Sequence, residues 1–470
     1  QFFIDRPAFL GLPVIPPLLG ALFFLDAQAP STRVLESLLA LYFGMTFRWD
    51  SLTSASSRNR RALWLDFLIA RRPRISQGFR PRPEHLHLLE SKPPVPRNHA
   101  LHGALRGRSI VLLTFESLGT THLGARQART PFLSSLLKSK NAWVSAWHTT
   151  PAPLTNAAHV AWYFGQWSLR HPETPQSYVD SFRQAGYIPV YLTTAHTAHY
   201  GLADLLKRAG FTKIIDADTL QNAPAASRTT PRDSTLGTLG LQQFEAIFEK
   251  HDGPFFLHIH AQNAHIPHIV ENTRSYARHD QTDDRGRFLN ALEETDALFA
   301  RLAARLSTWA RMRDPQGEAP ILVVSSDHGQ SFGEHDYRSH ASAVTAEQIQ
   351  VPFVLQHSAL PSRSISFSSH FDILPTLLDL VGISQSTGFG WSLVTTERPH
   401  EHFLFDGQPS RPTSSCLGLM VGPDKYALDL VRDTLVRSNW NDEHPHLLEG
   451  DERAYFEALL AFIAERRGVL

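Results

Sequence analysis

Apolar residues fall along this chain in short runs that stop at polar residues of distinctive chemistry. Ile321-Leu322-Val323-Val324 is the sharpest case. A short run bounded in this way predicts a buried strand. Ser109 to Phe115, Ile188 to Leu192, Pro254 to His260 and Val351 to Leu355 read the same way. Other stretches carry helix punctuation. Pro153 is the last breaker before a segment that Gly165 can end, and Thr155 or Asn156 can cap its start. Phe371 to Gly382 reads as a helix with Pro375 near its start and Gly382 at its end. In open α/β sheets, ligands bind where strands end. The residues that follow each apolar run are therefore the candidate site.

Ser326-Asp327-His328-Gly329 follows the first of these runs. A carboxylate and an imidazole side by side are oxygen and nitrogen ligands for one divalent metal, and Zn²⁺ or Mn²⁺ suits them. Glu116 follows Ser109 to Phe115. An acid there also suits a helix N-terminus, but its place after the first strand of an α/β unit favours a ligand. Thr155 stands where a helix begins, and the backbone N–H groups and dipole there favour an anion. A hydroxyl beside a divalent cation is more easily deprotonated, which makes a weak alcohol a nucleophile. An ordinary N-cap is an equally physical reading of Thr155, and the local sequence does not separate the two. Beyond Leu192, His196 and His199 fall on a loop. Asn263-Ala264-His265-Ile266-Pro267-His268 follows another strand, and His265 is the candidate there. His340 lies in the loop after the Asp327-His328 dyad.

Composition changes this picture little. The chain has 470 residues, 42% apolar and 19% charged, which is globular. Lys+Arg and Asp+Glu are both 45, so no net charge draws nucleic acid. Cys416 is the single cysteine, so an intramolecular disulfide is excluded. The N-terminal region adds something different. Ala8 to Leu25 is apolar and uncharged, marginal in length for a membrane span, and contains Pro13, Pro16 and Pro17. A basic stretch follows with Arg58, Arg60, Arg61, Arg71, Arg72, Arg74, Arg80 and Arg82, enclosing the amphipathic piece Ala62 to Ile69. Such a segment suits an anionic lipid surface, and a helical extension packed on the catalytic domain is the alternative. The expected organisation is a helical N-terminal segment over 1–90, a proline-rich linker over 91–108, a catalytic domain over 109–400 and a C-terminal subdomain over 401–470.

The order of these segments resembles the alkaline phosphatase superfamily, on its sulfatase-like branch, over about residues 105 to 470. Many sulfatase-like chains read P-L-T-x-x-S-H-x-x-x-x-x-G where this one reads Pro153-Leu154-Thr155-Asn156-Ala157-Ala158-His159 to Gly165. Ser326-Asp327-His328-Gly329 with Gly333-Glu334-His335 is similar to the second metal segment, and His265-Ile266-Pro267 to the substrate histidine motif. Asp372-Ile373-Leu374-Pro375-Thr376 resembles the family's helix, and His340 falls where the family has Lys or His. The resemblance implies a mostly parallel central sheet flanked by helices, with a smaller C-terminal subdomain. Sulfatases form an aldehyde from Cys or Ser at the nucleophile position, and Thr155 cannot. Glu116, Thr155, Asp327 and His328 together resemble the metal set of bacterial phosphoethanolamine transferases and lipoteichoic acid synthases. Here the disulfides common in the former are absent, and Ala158 replaces a frequent Ser. The implied reaction moves a phospho-group from a phospholipid donor to a glycan or lipid hydroxyl through phosphothreonine. The metal is one divalent ion, Zn or Mn. His265 and His340 are implied as acid–base or phosphate-holding groups, and Asn156 or His159 as phosphate contacts. The implied location is a bacterial inner membrane, with the catalytic domain in the periplasm or outside the cell. A phosphodiesterase or phosphatase with water as acceptor, and a silent lipid-binding protein of the same fold, are the rival classes.

Overall fold

A computed structural model describes residues 72–470, apart from 76–77, 87, 89–98, 125, 170–175, 199–200, 222–230, 250, 315, 385–387, 395–399 and 408–413. The N-terminal apolar run, the amphipathic piece, residues 91–98 of the proline-rich linker and His199 lie outside the described residues.

The apolar runs become the strands of one sheet. In chain order these are β1 (Ile110–Phe115), β2 (Ala142–Thr149), β3 (Ile188–Thr193), β4 (Lys213–Ile215), β5 (Phe255–His260) and β6 (Ile321–Ser326). After a two-stranded hairpin, β7 (Ser331–Phe332) and β8 (Arg338–Ser339), come β9 (Phe353–Gln356) and β10 (Arg363–Ser369). The spatial order is β10-β2-β9-β6-β1-β5-β3-β4. Within it only β9 runs against its neighbours. Every side chain of β1 and β5 is buried. Strands covered on both faces read as continuous apolar runs without alternation.

Two separate cores cover the faces. The helices Thr155–Phe164 and His370–Leu380 pack on one, around Trp162, Tyr163, Phe182 and Leu377. Leu241–Phe248 and the 30-residue helix Asp284–Arg313 pack on the other, around Phe244, Phe299 and Leu302. Each such side chain contributes roughly 1.5–3 kcal/mol on burial. The helix expected over Phe371 to Gly382 runs His370–Leu380 and holds Pro375 in its interior. Its start is fixed by a capping box in which Asp372 accepts the Ser369 N–H at 2.8 Å.

A second, antiparallel sheet runs β11 (Glu401–Phe405), β12 (Cys416–Val421), β13 (Asp424–Asp429), β14 (Thr434–Asn439) and β15 (His446–Leu447) in sequential order. The helix Gly450–Arg466 shares its core through Phe456, Leu459 and Leu460. An earlier segment straps across that helix. Phe79 packs on Tyr455 and Phe462, Arg82 lies 3.9 Å above the Tyr455 ring, and His85 Nδ1 is 2.7 Å from the Tyr455 hydroxyl. The α/β class with a smaller C-terminal subdomain is thus as expected from the sequence. Among the described residues no helix is long and apolar enough to cross a membrane.

Candidate active site

Strand register brings the site together. Phe115 pairs with Ser326 across β1 and β6, and Thr114 pairs with His260 across β1 and β5. Glu116 and Asp327 therefore leave the sheet at one edge, beside the last residue of β5. Ser117 takes a positive φ of 62° at the end of β1, a conformation uncommon for a residue with a Cβ. The turn lets its N–H donate to Asp327 Oδ1 at 2.9 Å and its hydroxyl donate to Glu116 Oε1 at 2.6 Å. Gly329 closes the other side. Its N–H donates to the Gln348 carbonyl, and a Cβ there would lie 1.9 Å from the Glu347 carbonyl oxygen. Only glycine allows that approach.

Thr155 opens its helix as the first helical residue, with Leu154 at the cap position and no side-chain cap. The expectation that Thr155 or Asn156 caps the helix is therefore not met. The Thr155 hydroxyl turns instead to Asp327, donating to Oδ2 at 2.9 Å with His328 Nε2 at 3.4 Å. Glu116, Asp327 and His328 are buried and Thr155 is half-buried. His328 Nδ1 donates to the Gly329 carbonyl at 3.0 Å, so its Nε2 is bare and faces the carboxylates, 3.3 Å from Asp327 Oδ2 and 3.6 Å from Glu116 Oε1.

Sequence reasoning read Pro254 to His260 only as a buried strand, and so missed His260. Its Nε2 lies 3.3 Å from Glu116 Oε2 and 3.8 Å from Asp327 Oδ2, fully buried and without a hydrogen bond. Two histidines at alternate positions of one strand were the one available signal, and they do not tell which of the two faces a carboxylate. Gln262 was missed too, and its amide donates to Glu116 Oε2 at 3.3 Å.

His340 and His265 stand in series outward from the dyad. The ring centroids of His328 and His340 are 4.4 Å apart, and those of His340 and His265 are 5.6 Å apart. Nδ1 of His340 faces Gln330 Oε1 at 2.9 Å, and Nδ1 of the exposed His265 donates to the Ile266 carbonyl at 2.9 Å. Asn156 is half-buried beside Thr155. His159, expected at the phosphate, lies beneath the site. Its Nδ1 donates to the Thr155 carbonyl at 2.7 Å and its Nε2 accepts from the Tyr191 hydroxyl at 2.9 Å, so both nitrogens are committed. His196 pairs with Asp218 at 3.0 Å. Behind Asp327, His370 Nε2 donates to the Asp327 carbonyl at 2.9 Å.

Electrostatics separate the two carboxylates. Burial pushes Glu116 up, but the adjoining imidazole of His260, and then those of His265 and His328, outweigh it and hold the carboxyl well below its ordinary range. Asp327 is pushed up by burial and then by the charge of Glu116. Two carboxylates, a bare His328 nitrogen and the orphaned His260 nitrogen converge here. Such a set is mutually repulsive unless a cation offsets it, and its oxygen and nitrogen donors fit Zn²⁺ or Mn²⁺.

A mostly parallel sheet with a carboxylate–imidazole centre at its strand ends defines the class as an alkaline phosphatase superfamily fold on its sulfatase-like branch. The sulfatase family matches residues 108–383, and the chain belongs to that family. Solved structures agree on the fold. A lipoteichoic acid synthase from Listeria monocytogenes is 17% identical at a TM-score of 0.60, covering 82% of this chain and 98% of that one. An alkaline phosphatase superfamily protein from Vibrio parahaemolyticus is 17% identical at 0.59, covering 86% and 95%. A phosphonate monoester hydrolase of Agrobacterium radiobacter is 15% identical at 0.52, covering 71% and 89%. No curated protein sequence matches the chain.

Proposed function

We propose that this sulfatase-family chain is a phospho-group transferase with Thr155 as nucleophile, taking a group such as phosphoethanolamine or phosphoglycerol from a phospholipid. The observation that carries the reading is the Thr155 hydroxyl, 2.9 Å from Asp327 Oδ2 and 3.4 Å from His328 Nε2. Glu116, Asp327, His328 and Thr155 would hold a divalent metal. When bound, it makes the hydroxyl more acidic and offsets charge on the nonbridging phosphate oxygens. Thr155 Oγ attacks phosphorus, and the bond to the lipid alkoxide breaks. Asp327 Oδ2 already accepts the hydroxyl hydrogen bond and takes that proton. His340 is pushed well below the usual imidazole range by burial and by the neighbouring imidazoles of His328 and His265, so it stays neutral and orients the phosphate. His265 is exposed at the outer end of the series and supplies a proton to the leaving alkoxide. A glycan or lipid hydroxyl then attacks phosphorus and gives its proton to His265, while the Thr155 oxygen leaves and takes its proton back from Asp327.

The membrane association rests on the apolar run Ala8 to Leu25 and the arginines after it, and the lipid donor and a periplasmic or extracellular catalytic domain rest on the resemblance to phosphoethanolamine transferases and lipoteichoic acid synthases. Intact-mass measurement after incubation with phosphatidylethanolamine or phosphatidylglycerol vesicles tests the reading. The expected result is a headgroup-phosphate adduct on Thr155 that is absent from Thr155→Ala. Turnover of the donor by Thr155→Ala at the wild-type rate would remove the proposal. Headgroup release at full rate without an acceptor would assign water as the acceptor instead.

A further inference from the structure

His260 has no assigned role, yet its surroundings are more fully specified than those of any other imidazole at the site. Thr114 Oγ1 lies 2.9 Å from His260 Nδ1 and 2.9 Å from His258 Nε2. His258 Nδ1 lies 2.6 Å from the Tyr163 hydroxyl. All four residues are buried. Buried donors must find acceptors, so the protons along this chain can be counted. The Tyr163 hydroxyl has one partner, His258 Nδ1, and so it donates there. His258 then carries its proton on Nε2 and donates to Thr114 Oγ1. The Thr114 hydroxyl proton goes to the Ile259 carbonyl at 3.4 Å, which leaves its second lone pair for His260 Nδ1–H. Reversing the last step would put the proton on His260 Nε2, which lies 3.3 Å from Glu116 Oε2 without forming a hydrogen bond, and would turn an N–H instead of a lone pair toward the cation. It would also leave the Ile259 carbonyl without the Thr114 proton.

We infer that Tyr163, His258 and Thr114 form a positioning relay that fixes His260 as its Nδ1–H tautomer, presenting bare Nε2 as a nitrogen ligand to the cation held by Glu116, Asp327 and His328. None of the three touches substrate. They act through His260, as a hydrogen-bonded outer layer does at a metal centre. The same register that pairs Thr114 with His260 puts the hydroxyl between two histidines of one strand face. The inference rests on the metal-centre part of the proposed function and is independent of which group is transferred.

The test is Zn²⁺ titration of the full chain against a chromophoric chelator, with ¹⁵N spectra of histidine-labelled, Zn²⁺-loaded protein. Thr114→Val keeps the shape and removes the hydroxyl, and should weaken Zn²⁺ binding about 10- to 100-fold. Thr114→Ser should restore it. Tyr163→Phe, at the far end, should weaken binding less. The spectra should show His260 protonated at Nδ1 and metal-bound at Nε2, and His258 protonated at Nε2. Unchanged affinity in folded Thr114→Val, or a His260 lacking the Nδ1 proton, would overturn the relay. If the valine variant does not fold, Tyr163→Phe and the wild-type spectrum still decide. Because no substrate is present, a failed transferase assay leaves this result intact, and a failed relay leaves the Thr155 adduct assay intact.

Discussion

Two of the histidine–carboxylate clusters among the described residues differ in where the protons are. In one, Asp379 near the end of the helix His370–Leu380 meets His99 Nε2 at 3.2 Å and His102 Nδ1 at 2.7 Å. His99 Nδ1 accepts from the Leu101 N–H at 3.3 Å, so its Nε2 carries the proton and donates to the carboxylate. Ser392 donates to the same oxygen as His99. That cluster is closed by its own hydrogen bonds and ties the segment before β1 to the helix end. In the other, His328 is bare at the nitrogen that faces Glu116 and Asp327, and His260 points a nitrogen without a hydrogen bond at the same two carboxylates. Residue types alone make the clusters look alike. The difference is whether each nitrogen facing a carboxylate carries a proton, and only the open cluster is left wanting a cation.

The largest test of that contrast is Thr155→Ala. It should lower turnover by about 10³-fold or more, since an activated nucleophile is lost. With no cap bond to lose, the folding cost should stay below about 1 kcal/mol. Thr155→Ser should keep part of the activity. Next, Asp327→Ala should lose bound metal, measured by elemental analysis, while Asp379→Ala retains it. Equal loss in both would erase the distinction. Asp379→Ala should instead lower unfolding free energy by about 2–3 kcal/mol, read from urea midpoints, because two imidazoles and Ser392 lose their acceptor.

The remaining effect is in pH. Burial above all holds His159 and His370 at about 3 against an ordinary 6.5. The unfolded chain therefore takes up protons that the folded chain refuses as pH falls below 6.5. Stability should be full above that point and fall toward about 3, by up to about 1.4 kcal/mol per pH unit for each histidine. Urea unfolding of chelator-treated protein at pH 7.5 and 5 measures the slope, and His159→Gln should flatten it. An unchanged midpoint between the two pH values would contradict the assignment of buried, neutral rings.

The parts of the site that stand directly after apolar runs were legible in the sequence. Glu116 and the Asp327-His328 dyad follow such runs, and the structure places them at the ends of β1 and β6. Thr155 was located by its breaker and its glycine, but its hydroxyl was assigned to capping as readily as to chemistry, because only tertiary structure puts Asp327 beside it. His260 was not legible. It belongs to a strand, and its meaning depends on Thr114 lying opposite, a register set by pairing across 146 residues. His159 was legible as a position and not as a direction, since the phenol of Tyr191 that turns its ring inward comes from β3. The helix Asp284–Arg313 was not singled out, although Asp283 caps its start by accepting the Gly286 N–H at 3.0 Å.

The strap over the helix Gly450–Arg466 also gives the molecule a load path. The chain passes across Tyr455 before it reaches β1, and Arg82, His85 and Phe79 grip that helix from above. The Arg74 N–H adds a bond to Glu457 at 2.7 Å, and Arg467 returns one to the Leu88 carbonyl at 3.1 Å. Tension applied upstream of residue 72 is therefore taken first by the last helix and by the antiparallel sheet beneath it. β1, which carries Glu116, is strained only after the strap has been peeled away.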